Sequence, residues 1–220
     1  MSTENFVHLH VHTEYSMLDG AARVGELMTE VAAQGMPAIA MTDHGNVFGA
    51  FEFYKAAKSV GVKPIIGIEA YVAPESRFDK KRVQWAAGGE DDVSGGGAYT
   101  HMTILAENNE GLANLFRLSS LASLEGFYYK PRMDRELLAK YSKGLIATTG
   151  CPGGEIQTRL RMGSYKEAIK AASDYRDIFG AENFYLEIMD HGIDIETRVK
   201  QDLLNLGKEL GLPLLATNDL

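Results

Sequence analysis

The chain has 220 residues, 45% of them hydrophobic, with 22 Lys and Arg against 30 Asp and Glu and a formal net charge of −8 at pH 7. That length and apolar content suit one large domain or two small ones with a substantial core, and the acidic balance excludes a broad free-standing nucleic-acid surface, because sequence-independent DNA affinity comes from Lys and Arg neutralising phosphates. No stretch approaches the roughly 18 apolar residues of a membrane span and no basic segment precedes an apolar run at the N-terminus, while the single cysteine, Cys151, forms no internal disulfide and fits a reducing cytoplasm.

The first element expected is a strand over Val7-His8-Leu9-His10-Val11-His12. Alternation would place His8, His10 and His12 on one face, and two histidines one residue apart on a strand can both reach one metal ion. Val24, Leu27, Met28, Val31 and Ala32 recur at helical spacing, so a helix runs from about 23 to 34 and stops at Gly35 and Pro37. A buried strand over 37–42 ends in Asp43-His44-Gly45, with Asn46 as N-cap of a helix to about Val60. A third strand covers 64–72, and its Glu69 is a carboxylate inside an apolar run that needs a cation partner.

Residues 73–97 break this rhythm with Arg77, Lys80, Lys81 and Arg82, then an acidic, glycine-rich stretch. It reads as a mobile loop insertion, least ordered at its glycine-rich end. A strand over 99–106 carries His101, and a helix over 108–124 turns Leu112, Leu115, Phe116 and Leu118 inward. The turn from Gly126 to Arg132 interleaves Tyr128 and Tyr129 with Lys130 and Arg132, which suits stacking on bases and gripping a phosphate; a plain surface turn is the equal alternative. Asp134 caps a short helix to about Tyr141, a strand over 144–149 leads to Cys151, and helices follow over 155–162 and 165–179. A strand over 183–189 tipped by Asp190 and His191, a helix over 195–210 and a terminal strand carrying Asp219 complete the order.

Seven strands separated by helical segments predict a parallel sheet, open or closed into a βα barrel. His10, His12, His44, Glu69, Cys151 and Asp219 all fall at or near strand C-terminal ends, where barrels place chemistry drawn from several strands. An open sheet would carry a glycine-rich phosphate turn after its first strand, and none is present. A barrel is therefore expected, with His101, mid-strand on this reading, as the awkward member. Singly, His44 could be a helix-entry cap, His101 a satisfied core histidine and Cys151 an inert buried thiol. Together the imidazoles, carboxylates and thiol exceed what one tetrahedral ion needs, which points to two or three ions.

The segments His-Val-His-Thr-Glu-Tyr-Ser-Met-Leu-Asp-Gly, Met-Thr-Asp-His-Gly, Ile-Gly-Ile-Glu-Ala-Tyr, Tyr-Thr-His, Thr-Thr-Gly-Cys-Pro-Gly-Gly-Glu and Ala-Thr-Asn-Asp give the chain a close resemblance, over essentially its whole length, to the polymerase and histidinol phosphatase (PHP) domains found at the N-terminus of bacterial replicative DNA polymerase III alpha subunits. The resemblance implies an α/β fold, a distorted seven-stranded barrel of which residues 1–220 form a single domain cut short near its C-terminus within a much longer polymerase chain. It implies up to three divalent ions, Zn²⁺ or Mn²⁺ with Mg²⁺ also admissible. His10, His12, Glu69 and Asp219 would form the first site, Asp19 and His44 the second, and Glu69, His101 and Cys151 the third, with Glu69 bridging. A ninth ligand, a histidine two positions after Asp219, would fall just past Leu220. His8 lacks a counterpart among the family ligands and reads as a supporting residue, as do Asp190 and His191.

The implied activity is metal-dependent phosphodiester hydrolysis, as 3′-to-5′ exonuclease proofreading of a primer strand in the cytoplasm. His10, His12, Asp19, His44, Glu69 and Asp219 would act through the bound metals, and Tyr128, Tyr129, Lys130 and Arg132 would guide DNA. Expected partners are DNA, the other polymerase domains and replisome subunits. Two alternatives stand beside it: a non-catalytic metal-stabilised scaffold for the polymerase body, and a small-molecule phosphoesterase of the same superfamily.

Overall fold

The computed structural model describes residues 6–17, 19–83 and 95–220. Among them are seven strands, β1 (Ala38–Met41), β2 (Lys63–Val72), β3 (Thr100–Ala106), β4 (Arg132–Met133), β5 (Leu145–Thr148), β6 (Phe184–Ile188) and β7 (Leu214–Ala216). The helices are α1 (Val24–Ala33), α2 (Ala50–Ser59), α3 (Asn109–Leu124), α4 (Arg135–Tyr141), α5 (Glu155–Arg161), α6 (Tyr165–Phe179) and α7 (Asp194–Leu210). The strands form one curled sheet in the order β1-β2-β3-β5-β6-β7, with β4 added beside β2.

The histidine segment expected as the first strand is extended but is not a regular strand. Its Val11 N–H bonds the Thr42 hydroxyl at 2.8 Å, so a side chain takes the place of a ladder carbonyl. It still joins the two ends of the sheet. On one side Ala40 and Thr42 donate to the carbonyls of His8 and Val11, and on the other His12 donates to Leu220 and Leu220 to His10. The sheet is a curled half-barrel, and this segment bridges its β1 edge to the residues that follow β7.

The all-parallel expectation is corrected at β3, which runs antiparallel to both β2 and β5, while β1·β2, β5·β6 and β6·β7 are parallel. Parallel neighbours need a long crossover, usually helical. Between β2 and β3 the described residues hold only a short 3-10 turn at Gly95–Gly97. This reversal removes the difficulty with His101. The start of an antiparallel strand lies at the same rim as the ends of its parallel neighbours, and His101 faces Tyr71 near the end of β2.

The 73–97 stretch is anchored at both described ends, since Val83 N–H bonds the Gly97 carbonyl at 3.0 Å and Arg77 is buried against Asp134; the acidic 84–94 segment lies outside the described residues. In place of capping a helix, the Asn46 side chain accepts from Phe48 N–H and donates to the Tyr15 and His44 carbonyls, which holds the loop bearing His44 while α2 starts later. On α3 the inward stripe is Gly111, Leu115, Leu118 and Ala122, and Phe116 is exposed because it lies one position round the helix from Leu115. Gly111 permits that packing, for a Cβ there would stand 1.7 Å from the Gly144 carbonyl oxygen.

Candidate metal centre

Glu69, near the middle of β2, is 1% exposed and is approached by four imidazoles. His10 Nε2 lies 3.6 Å from its Oε1 and His12 Nε2 3.2 Å from its Oε2. His44 Nδ1 stands 2.6 Å from Oε2, and His101 Nδ1 3.0 Å from Oε1. Three separate segments bring these imidazoles to Glu69 because each of those residues sits at the same rim of the sheet. Asp219 joins the first pair, its Oδ1 lying 3.4 Å from His10 Nε2 and 3.1 Å from His12 Nε2. Its backbone has φ +46°, a left-handed conformation that a non-glycine residue keeps only where the surroundings demand it. On the other side Asp19 Oδ2 is 2.8 Å from His44 Nε2, and Cys151 Sγ is 3.3 Å from His101 Nδ1. All eight ligands expected from the resemblance thus lie in one cluster.

The donor set fits divalent cations. Ligand atoms at about 2.1 Å from a tetrahedral Zn²⁺ stand about 3.4 Å apart, close to the spacings among His10, His12, Glu69 and Asp219. His10 Nε2, His44 Nδ1 and Glu69 Oε2 are buried polar atoms without a hydrogen-bond partner. His44 Nδ1 and Glu69 Oε2 approach each other without the geometry of a hydrogen bond. Buried polar groups are otherwise almost always satisfied.

Electrostatics points the same way. Burial opposes charge on His10 and His12, yet Glu187 and Glu69 hold His10 well above the usual imidazole range. Asp219 and Glu69 raise His12 to about 9. Glu69 is held well below the carboxylate range, against its burial, by His101 and His10. Burial and then the Glu69 charge push the Cys151 thiol up. Without cations, protons on His10 and His12 balance the carboxylates; a bound cation would take their place and ionise the thiol.

Behind these ligands lie polar partners that sequence reading did not single out. His12 Nδ1 is 2.8 Å from the Ser16 hydroxyl, which donates to Asp43. His10 Nδ1 is 2.8 Å from Glu187. The only sequence signal was polar residues at inward positions of apolar strands. His8 is half-buried, its ring edge-on to Phe6 at 4.7 Å, and it is not among the metal-competent groups. His191 bonds Glu196 at 2.7 Å and the Asn218 carbonyl at 2.6 Å, tying the tip of β6 to the segment that carries Asp219. Asp190 pairs with Lys200 at 2.5 Å.

The aromatic and basic turn divides into two parts. Lys130 Nζ lies 5.4 Å from the Tyr71 ring, which stacks on His44 with centroids 5.7 Å apart. Tyr129 is 61% exposed with φ +61°, packs edge-on against Tyr128 at 4.6 Å and carries the Arg82 guanidinium 5.0 Å from its ring. Arg132 must be reassigned: it is fully buried, and its guanidinium donates to the carbonyls of Gly126, Ala98, Arg77 and Asp79. With four of its five N–H donors spent on the backbone and the side chain fully buried, it is out of reach of a strand. Arg132→Ala would leave those carbonyls unpaired beside a void and is expected to cost about 3 kcal/mol or more in urea unfolding; a loss under about 1 kcal/mol would contradict this structural role.

The PHP domain signature matches residues 8–191. The chain belongs to the PHP family. DNA polymerase III subunit alpha of Saccharopolyspora erythraea is 64% identical over 228 residues, covering all of this chain and 19% of that protein. The same subunit of Treponema pallidum is 46% identical over 219 residues, again covering all of this chain and 18% of the relative. This PHP chain therefore spans about a fifth of the length of these relatives. A solved structure from Bifidobacterium adolescentis, described as that of a metal-dependent phosphoesterase, aligns over 98% of this chain and 87% of its own with a TM-score of 0.56 at 15% identity, so the two share a fold. Among the described residues no helix is long and apolar enough to cross a membrane.

Proposed function

We propose that this PHP chain is a metal-dependent phosphodiesterase that removes nucleotides from the 3′ end of a DNA strand, the 3′-to-5′ exonuclease of a bacterial replicase working in the cytoplasm beside the polymerase body and replisome subunits. The observation that carries the reading is the convergence of His10, His12, His44 and His101 on the one buried carboxylate of Glu69, with orphaned ligand atoms between them. Zn²⁺ or Mn²⁺ suits this mixed donor set, with Mg²⁺ a poorer match to imidazole and thiol. Bound there, such ions supply Lewis acidity toward a phosphoryl oxygen and a nucleophile from water near neutral pH.

The chain's own residues hold and orient. Glu69 spans the cluster; His10, His12 and Asp219 flank it on one side, Asp19 and His44 on another, and His101 with Cys151 on a third. Lys130 and Arg82 are placed to neutralise backbone phosphates, and the exposed Tyr129 ring to stack on a base. Water adds to phosphorus as the P–O3′ bond breaks, leaving a 3′-hydroxyl on the strand and a nucleoside 5′-monophosphate. The local basic residues also resolve the charge argument: an acidic chain uses a short basic rim and leaves the duplex to other parts of the protein.

The test uses the full-length protein on a primer with a mispaired 3′ nucleotide. His10→Ala or Cys151→Ala is expected to slow its removal by about 100-fold or more, while polymerisation on a matched primer stays near wild type. Removal at an unchanged rate would sink the proposal. Hydrolysis of small phosphomonoesters without DNA degradation would favour a small-molecule phosphoesterase, and metal-dependent melting without any nuclease activity would favour a scaffold.

A further inference from the structure

One layer beneath the metal ligands, in the middle of the barrel, Glu187 on β6 is 2% exposed. Its Oε1 lies 2.8 Å from His10 Nδ1 and accepts from the Thr217 hydroxyl at 2.5 Å. Its Oε2 accepts from the Thr148 hydroxyl and, at 3.4 Å, from that of Thr103. Three threonines, from β3, β5 and the residue after β7, thus aim at one carboxylate, whose every acceptor site is engaged. An ionised carboxylate only accepts, so the nitrogen facing it must carry the proton. When His10 gives up a proton to a metal, the hydrogen it keeps is therefore the one on Nδ1, and the freed lone pair is on Nε2, the atom that faces Glu69 and Asp219 and lacks a hydrogen-bond partner.

We propose that Glu187 is a positioning residue of the metal centre: it locks the tautomer and orientation of His10 and thereby sets the affinity of the site formed by His10, His12, Glu69 and Asp219. The inference rests on the metal-binding part of the reading above and not on its choice of substrate. His12 differs in kind. Its Nδ1 meets a neutral hydroxyl, Ser16, and reaches the Asp43 carboxylate only through it. His101 has its Nδ1 turned toward Glu69 and Cys151, so neither its site nor that of His44 shares the Glu187 support. A carboxylate that orients a ligating histidine raises the basicity of the ring and is worth about 10–100-fold in metal affinity. Glu187 supplies that support to one site of three, which makes the expected effect selective.

The experiment is a competition titration of Zn²⁺ against a chromophoric chelator, with the visible spectrum of the Co²⁺ form, on the full-length protein and its E187Q variant. Glutamine keeps the size of the side chain and an accepting oxygen while removing the charge. One metal equivalent is expected to weaken by about 10–100-fold with a changed Co²⁺ band, while the remaining equivalents bind as in wild type. Y175F, which deletes the buried hydroxyl bonded to Glu155 at 2.8 Å away from the centre, lowers stability without touching a ligand and is expected to leave every equivalent unchanged. Should E187Q fail to fold, E187D keeps the charge but withdraws it by one methylene, and the same single equivalent is expected to weaken. Wild-type affinity for all equivalents in the folded Glu187 variant, or equal weakening in Y175F, overturns the proposal. Wild-type protein that takes up no metal at all overturns the metal reading itself, a result distinct from metal uptake indifferent to Glu187.

Discussion

Glu69→Ala is expected to disable two sites of the centre rather than one. Asp19 touches only His44, and Cys151 approaches only His101 among the imidazoles, but Glu69 lies within 3.6 Å of all four clustered histidines. Removing it takes a ligand from two of the three groups of described residues that could hold an ion, sparing only His12, Asp19 and His44. Metal content after dialysis should fall to one equivalent or less, a loss larger than the roughly 10–100-fold typical of outer partners, and phosphodiester hydrolysis should fall to background. Asp19→Ala, by contrast, should cost only the outer site, because that carboxylate is 55% exposed at the edge of the cluster. The substitution also breaks a buried ion pair in the metal-free protein, where His101 and His10 hold Glu69 ionised against its burial. Loss of one member of such a pair costs roughly 3–5 kcal/mol, so the variant should melt lower even in chelator. Full metal occupancy of a folded Glu69→Ala protein would refute the bridging role.

Much of this centre could be read from the sequence because its ligands lie where strand alternation and polar tips betray them. His10, His12, His44 and Asp219 each interrupt or end an apolar run, and Glu69 stands alone inside one. What local pattern could not supply was direction. Nothing in Tyr99 to Ala106 states that β3 runs antiparallel, since its partners lie 28 or more residues away in β2 and β5, and His101 looked misplaced for that reason. Arg132 was misread for a related cause. An arginine among tyrosines near a turn has the composition of a nucleic-acid contact, but three of the four carbonyls that capture it, those of Ala98, Arg77 and Asp79, come from segments distant in sequence. Glu187 gave no signal beyond being a carboxylate in an apolar strand, and its meaning depends on threonines contributed by three other segments. The reading succeeded where chemistry is carried by one residue's type and failed where it is carried by what the fold places opposite.

Chelation is expected to lower the melting temperature of this chain by an amount that grows with pH. In the metal-free protein the folded state raises His12 from its ordinary 6.5 to about 9 through the adjoining Asp219 and Glu69 carboxylates, against the cost of burial. A group whose folded value is raised contributes stability that is fully present below 6.5 and is lost as pH rises through about 9. The metal-free protein should therefore weaken over that window. Cation binding has the opposite slope, because the ion must displace those same protons from the imidazoles and the raised thiol of Cys151. At low pH protons win and chelator changes little; toward pH 9 fewer protons remain to be displaced and binding tightens. A free ion at 1,000 times its dissociation constant stabilises by about 4 kcal/mol, which at roughly 2–4 °C per kcal/mol for a domain of this size is about 8–16 °C. Melting curves with and without EDTA from pH 6 to 9 should thus diverge, the chelated curve falling while the loaded one holds. Parallel curves, or a gap that closes as pH rises, would mean that protons and cations do not compete for the histidines around Glu69.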